Sequence, residues 1–210
     1  MRSAPTGLGE NQPGVATRRC VFACLDADYG AQVDTVVVDV VVGPPPVGLP
    51  EVVEPANRLH LRRPLITFPY RLYPVADQIA DKVGATMDTH YPGGKPSSRV
   101  KDLVDLVVIA HTQTVHLDEL QAAIDSKRQL SGIALFGHFT VPPEWVRTYP
   151  ATAKGVPAAE SFTTQTAAVL VASFVDPALD KSSNPAVWDP RVLSWIPNAG
   201  APLPTRGARP

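Results

Sequence analysis

Val75-Ala76-Asp77-Gln78-Ile79-Ala80-Asp81-Lys82-Val83, a glycine-rich break, then Ser97-Ser98-Arg99-Val100-Lys101-Asp102-Leu103-Val104-Asp105-Leu106-Val107-Val108-Ile109: two apolar helical patterns with charges set into them. Val75, Ile79, Val83 and Met87 recur every four residues and define a buried stripe, with Lys82 directly beside it. Asp102 and Asp105 lie three apart, so a helix puts both carboxylates on one face. The pattern predicts a lysine and an acidic pair where two helices meet.

Working outward, Pro74 suits the first turn of a helix over 74–89, where its missing N–H does no harm. Ser97 or Ser98 caps a second helix reaching about 111, and Thr114 a third over about 116–129 with Leu117, Leu120 and Ile124 as its stripe. A mixed segment follows, and an Ala/Val-rich helix over about 163–175 ends before Asp176-Pro177. On the N-terminal side, 18–25 and 35–42 are β-branched and apolar, and read as strands. Asp26-Ala27-Asp28-Tyr29-Gly30 between them is turn chemistry, so the two form an antiparallel hairpin. Residues 51–69 carry one or two further short strands. The expected fold class is α+β, a small mixed or antiparallel sheet followed by a helical C-terminal part. Its divisions are a disordered leader over 1–16, a sheet region over 17–72, a helical domain over 73–196 and a disordered tail over 197–210.

Composition bounds the function. The chain has 210 residues, 44% of them hydrophobic, enough to bury a core. A net charge of −1 gives no global pull toward nucleic acid or membrane. The 23 prolines, about twice the usual share, imply many rigid connections. Cys20 and Cys24 are too far apart along a strand for an easy disulfide, and read as buried thiols. With no signal-peptide pattern and no apolar run of membrane-spanning length, the expected location is cytoplasmic.

The chemistry centres on a few charged residues. A lysine beside a buried stripe needs an anion, either a carboxylate or a bound phosphate. Asp102 and Asp105 therefore serve as structural partners of Arg99, Lys101 and Lys82, or one of them orients Lys82 toward a phosphate. Asp39 stands alone among seven valine and threonine residues. It either points to solvent, or is placed to hold a metal ion or take a proton. His60 with Arg58, Arg62 and Arg63 is a basic patch that reads as a solvated face or an RNA-backbone contact. Gly93-Gly94-Lys95 lacks P-loop spacing, and Trp145, Trp188 and Trp195 read as packing anchors.

The run Tyr73–Lys82, followed by Arg99-Val100-Lys101-Asp102-Leu103-Val104-Asp105-Leu106, resembles the C-terminal half of nucleotidyltransferases of the AbiEii type, toxins of type IV toxin–antitoxin systems that include the mycobacterial MenT toxins. The segments Phe139-Thr140-Val141-Pro142…Trp145 and Phe174–Leu179 add to the likeness, which covers about 18–195. The resemblance implies a polymerase-β-like nucleotidyltransferase fold that binds an NTP with Mg²⁺ and transfers the nucleotide to an acceptor such as the 3′ end of tRNA. It implies Asp39, Lys82 and Asp105 as catalytic residues. Lys82 contacts the triphosphate, with Arg99 and Asp102 also nucleotide-binding. Asp39 is the metal-set acid that activates the acceptor hydroxyl. It implies a cognate antitoxin, no membrane association and no DNA partner.

One element of the family pattern is missing. The upstream Gly-Gly/Ser and Asp-x-Asp unit has no counterpart before residue 18. Asp26-Ala27-Asp28 does spell Asp-x-Asp, as a metal pair or as turn chemistry. The chain thus reads as an N-terminally shortened member with impaired catalysis. The alternatives are an inactive remnant, or a helical module that binds an antitoxin, nucleotide or RNA.

Overall fold

The computed structural model describes residues 2–5, 16–55, 68–87, 97–131, 136–180 and 184–198. The basic patch around His60, the Gly93-Gly94-Lys95 run and the tail from 199 onward lie outside them. The chain divides into two units, Met1–Pro45 and Pro46–Pro210.

The first unit is one antiparallel sheet of order β1-β2-β3, built from β1 (Arg2–Pro5), β2 (Ala16–Leu25) and β3 (Gln32–Val42). The expected hairpin is present: β2 and β3 pair from Ala16↔Val42 to Cys24↔Asp34 in unbroken register, with an irregularity only between Cys24 and Leu25. Asp26 makes the turn by accepting the backbone N–H groups of Asp28 and Tyr29, and Gly30 supplies a positive φ of 67°. Arg2–Pro5, assigned by sequence to a disordered leader, instead adds an edge strand to β2. Cys20 is buried, Cys24 half-buried, and both thiols are free.

The second unit holds the core. β4 (Glu51–Val53) and β5 (Tyr70–Leu72) pair antiparallel ahead of α1 (Val75–Met87). Ile79 and Val83 of the expected stripe are fully buried, with Val75 and Met87 packed at its ends. α2 (Val100–Thr112) buries Leu103, Leu106, Val107 and Ala110. Neither serine caps it. Arg99 holds the cap position without a side-chain bond, while Ser97 Oγ accepts the Arg99 N–H and donates to Ala85 O, tying the entrance of α2 to α1.

After β6 (Val115–His116), α3 (Leu117–Ser131) buries Leu117, Leu120 and Ile124 as the spacing predicts. The mixed segment contains a helix that the sequence reading missed, α4 (Trp145–Ala153). α5 (Thr164–Leu179) starts at a Thr163–Thr166 capping box and runs past Pro177 instead of stopping before Asp176. A proline in the last turn forgoes one backbone bond. Burial of Ala178 and the packing of Leu179 offset that loss.

The helical part also carries its own sheet, which the sequence reading did not foresee. β7 (Ala186–Asp189) pairs with β6 and with β8 (Ser194–Pro197), giving the order β6-β7-β8. The three tryptophans are packing anchors as expected, and each indole N–H finds a carbonyl: Trp145 to Ser97, Trp188 to Ala110, and Trp195 to Phe174. The architecture is α+β, with small antiparallel sheets and five helices among the described residues. No described helix is long and apolar enough to cross a membrane.

Candidate functional site: a lysine clamped between two helical aspartates

The stripe that buries Ile79 and Val83 carries Lys82 to the edge of the α1–α2 contact. Spacing of three along α2 brings Asp102 and Asp105 to meet it. The Lys82 ammonium lies 2.7 Å from Asp105 Oδ2 and 3.2 Å from Asp102 Oδ1. Arg99 Nε donates to the other oxygen of Asp102 at 2.8 Å, and Lys101 Nζ reaches both oxygens of Asp105 at 2.9 Å. Asp102 is nearly buried, with its side chain 8% exposed, whereas Lys82 is 22% exposed and Asp105 28%. Lys101, at 76%, stands in water.

Among the described residues the cluster sets Lys82, Arg99 and Lys101 against Asp102 and Asp105. Burial pulls the Lys82 pKa down, but the Asp105 hydrogen bond and the charges of both aspartates outweigh it, so the pKa stands raised. Burial likewise pushes Asp105 up, and the bonds from Lys82 and Lys101 override that and hold it below the usual carboxylate range. The site is charged on both sides at neutral pH. A phosphate arriving here meets an ammonium that already donates to two carboxylates.

Sequence reasoning placed Lys82, Arg99, Asp102 and Asp105 together, and the structure brings them together. Lys101, also named from the sequence as a partner of the pair, reaches Asp105 at i, i+4 spacing. Sequence reasoning missed two anchors on α1. Asp77 is buried and accepts the N–H groups of Val47 (2.8 Å) and Gly48 (3.0 Å), which clamps the proline-rich loop onto the helix. Gly48 is required there, because a Cβ would come within 2.8 Å of Pro74 Cβ. Asp81 pairs with Lys127 at 2.7 Å and accepts the Tyr73 hydroxyl at 3.2 Å. Burial, then the Asp81 charge, drives the Tyr73 pKa upward.

Asp39 belongs to the first unit. It faces Arg19 across the hairpin, which donates to both its oxygens at 2.8 and 2.9 Å. The Arg19 hydrogen bond holds the Asp39 carboxyl below its ordinary range. Asp26 spends one oxygen, Oδ1, on the turn N–H groups, and Asp28 is a turn residue beside it. Among the described residues, no three His, Cys, Asp or Glu side chains converge as a metal-ligand set. Asp39, Asp102 and Asp105 instead take hydrogen bonds from basic side chains, and Asp26 from backbone N–H groups. The described donors therefore do not fit a divalent ion as they stand.

A cleft of about 890 Å³ opens toward the first turn of α1 and the last turn of α2, lined also by Leu49, Thr114 and Asp118. Lys82, Arg99, Asp102 and Asp105 do not line it. The charged cluster and the cleft are separate features of the same helix pair.

The sequence profile of the nucleotidyl transferase AbiEii toxin family, type IV toxin–antitoxin system, matches residues 6–183, and the chain belongs to that family. No curated protein and no solved structure matches it.

Proposed function

We propose that this chain is a nucleotidyl transferase toxin that moves a nucleotide from an NTP to the 3′ end of an RNA, tRNA foremost, with Lys82 and Asp105 at its centre. The observation that carries the reading is the half-buried Lys82 ammonium held between Asp102 and Asp105, in a chain of the AbiEii family. In such a transfer the acceptor hydroxyl oxygen attacks the α-phosphorus. The bond to the β-phosphate oxygen breaks, and pyrophosphate leaves.

Each residue then has a defined part. Lys82 exchanges a carboxylate partner for a triphosphate oxygen, and Arg99 supports the charge from the edge of the cluster. Asp102, buried and bonded to both cations, fixes their positions. Asp105 sets where the ammonium points. For Asp39, in the first unit, the role of proton acceptor is proposed from the family resemblance alone; its carboxylate is held by Arg19. Mg²⁺ enters this proposal through the chemistry of the family. The described carboxylates do not gather as its ligands. Family membership also implies an antitoxin counterpart, and the proposed location is cytoplasmic.

The saturation of Lys82 by two carboxylates favours a second reading, in which the cluster only joins two helices and the chain is an inactive remnant or a binding module. Incubation with labelled NTPs, Mg²⁺ and total tRNA separates the two. Label transfer that falls at least ~100-fold in Lys82→Ala and Asp105→Asn supports the enzyme. If no label is transferred while another member of the family works alongside, the first reading is wrong.

A further inference from the structure

We propose that β3 is a self-pairing edge, along which a second copy of this chain adds its own β3 antiparallel to form one continuous sheet. Among the described residues the order β1-β2-β3 leaves β3 outermost, and every residue from Gln32 to Val42 is exposed. Val33, Val37 and Val41 on one face and Val36, Val40 and Val42 on the other are each 41% exposed or more. An edge strand offers the N–H and C=O groups of alternate residues to a neighbour. Natural sheets protect such edges with lysines, prolines or bulges. β3 has no lysine or proline, and its register with β2 is unbroken from Asp34 to Val42.

The sequence of β3 argues for a second copy as the occupant. With Val37 on a twofold axis, Val37 faces itself, Val36 faces the partner's Val38, and Val33 faces the partner's Val41. Thr35 faces the partner's Asp39. The Gln32 amide donates to Thr35 Oγ1 at 2.9 Å, which leaves the hydroxyl proton for that carboxylate. No aspartate faces an aspartate, and Arg19 already balances Asp39 within each copy. This strand is complementary to itself in both shape and charge.

Area sets the strength. Eleven residues at about 3.3 Å each span ~36 Å, and pairing along one edge removes on the order of 700 Å² in total. A stable interface needs about 1,200 Å² or more, so the pair is weak and reversible.

Two measurements on the full chain test this. Sedimentation from about 1 μM to about 1 mM should show mass rising from monomer to dimer, and Val37→Lys should weaken the association at least ~10-fold without changing the helical circular dichroism. Separately, Val37→Cys should form an intermolecular disulfide on mild oxidation. Val33→Cys, about 26 Å from its own copy in this register, should cross-link no faster than wild type, which controls for Cys20 and Cys24. Monomer at every concentration, dimerisation that survives Val37→Lys, or equal cross-linking at 33 and 37 would each overturn the proposal.

Discussion

Lys82 has one ammonium and two carboxylates in reach, so the energetics of the site turn on how much solvent screens them. With side chains 22% and 28% exposed, the Lys82–Asp105 pair sits between a surface ion pair, near ~0.5 kcal/mol, and a buried one. Removing the lysine leaves Asp102, at 8% exposure, with Arg99. Lys82→Met should therefore destabilise the chain by only about 1–2 kcal/mol in urea unfolding, since the methionine keeps the packing of the stem. The pH dependence follows from the signs. Asp105 has a lowered folded pKa, so its contribution is present above about pH 4 and lost as pH falls through that lower value. The Lys82 pKa is raised, so its contribution is present below about pH 10.4 and lost as pH rises through the folded value. The stability gap between wild type and Lys82→Met should be level from about pH 5 to about pH 9 and shrink toward both ends. A gap that grows on either side would mean the cluster is wired differently.

At the scale of elements, the loop before β4 is fixed to α1 by the Asp77 carboxylate and by the absence of a side chain at Gly48. Gly48→Ala forces a methyl against Pro74 and should cost about 1–3 kcal/mol, read as a lowered thermal midpoint, with the far end of α1 unchanged. The hairpin and the first three helices were legible because their signals are local: β-branched runs about Asp26, then apolar residues every third or fourth position. α4 was hidden by Pro142, Pro143 and Pro150, which read as breakers although the first two precede the helix and the third lies inside it. β7 and β8 are four residues each and draw their meaning from partners far away in sequence, β7 through its pairing with Val115–His116. No short-range pattern carries that. Among the site residues, spacing foretold that Lys82 would meet the aspartates. It could not foretell that Asp39 would be taken up by Arg19, because that depends on the exact register of β2 against β3.

At the scale of the whole chain, the described core lies within the second unit apart from Cys20. A fragment spanning 46–198 should then keep a cooperative thermal transition, with a midpoint within about 4 °C of the full chain. Removing everything after 183 takes away β7, β8 and the fully buried Trp188. That truncation, which spares the region matched by the family profile, should abolish the transition, because losing a buried tryptophan alone costs about 3–5 kcal/mol. The placement of Trp145, Trp188 and Trp195 has an optical consequence as well. All three indoles stand in the second unit, whereas the aromatics described in the hairpin unit are Phe22 and Tyr29. Emission excited at the red edge of the spectrum thus reports the second unit and is blind to the hairpin unit, while the tyrosine signal of a tryptophan-free hairpin peptide would report the hairpin alone.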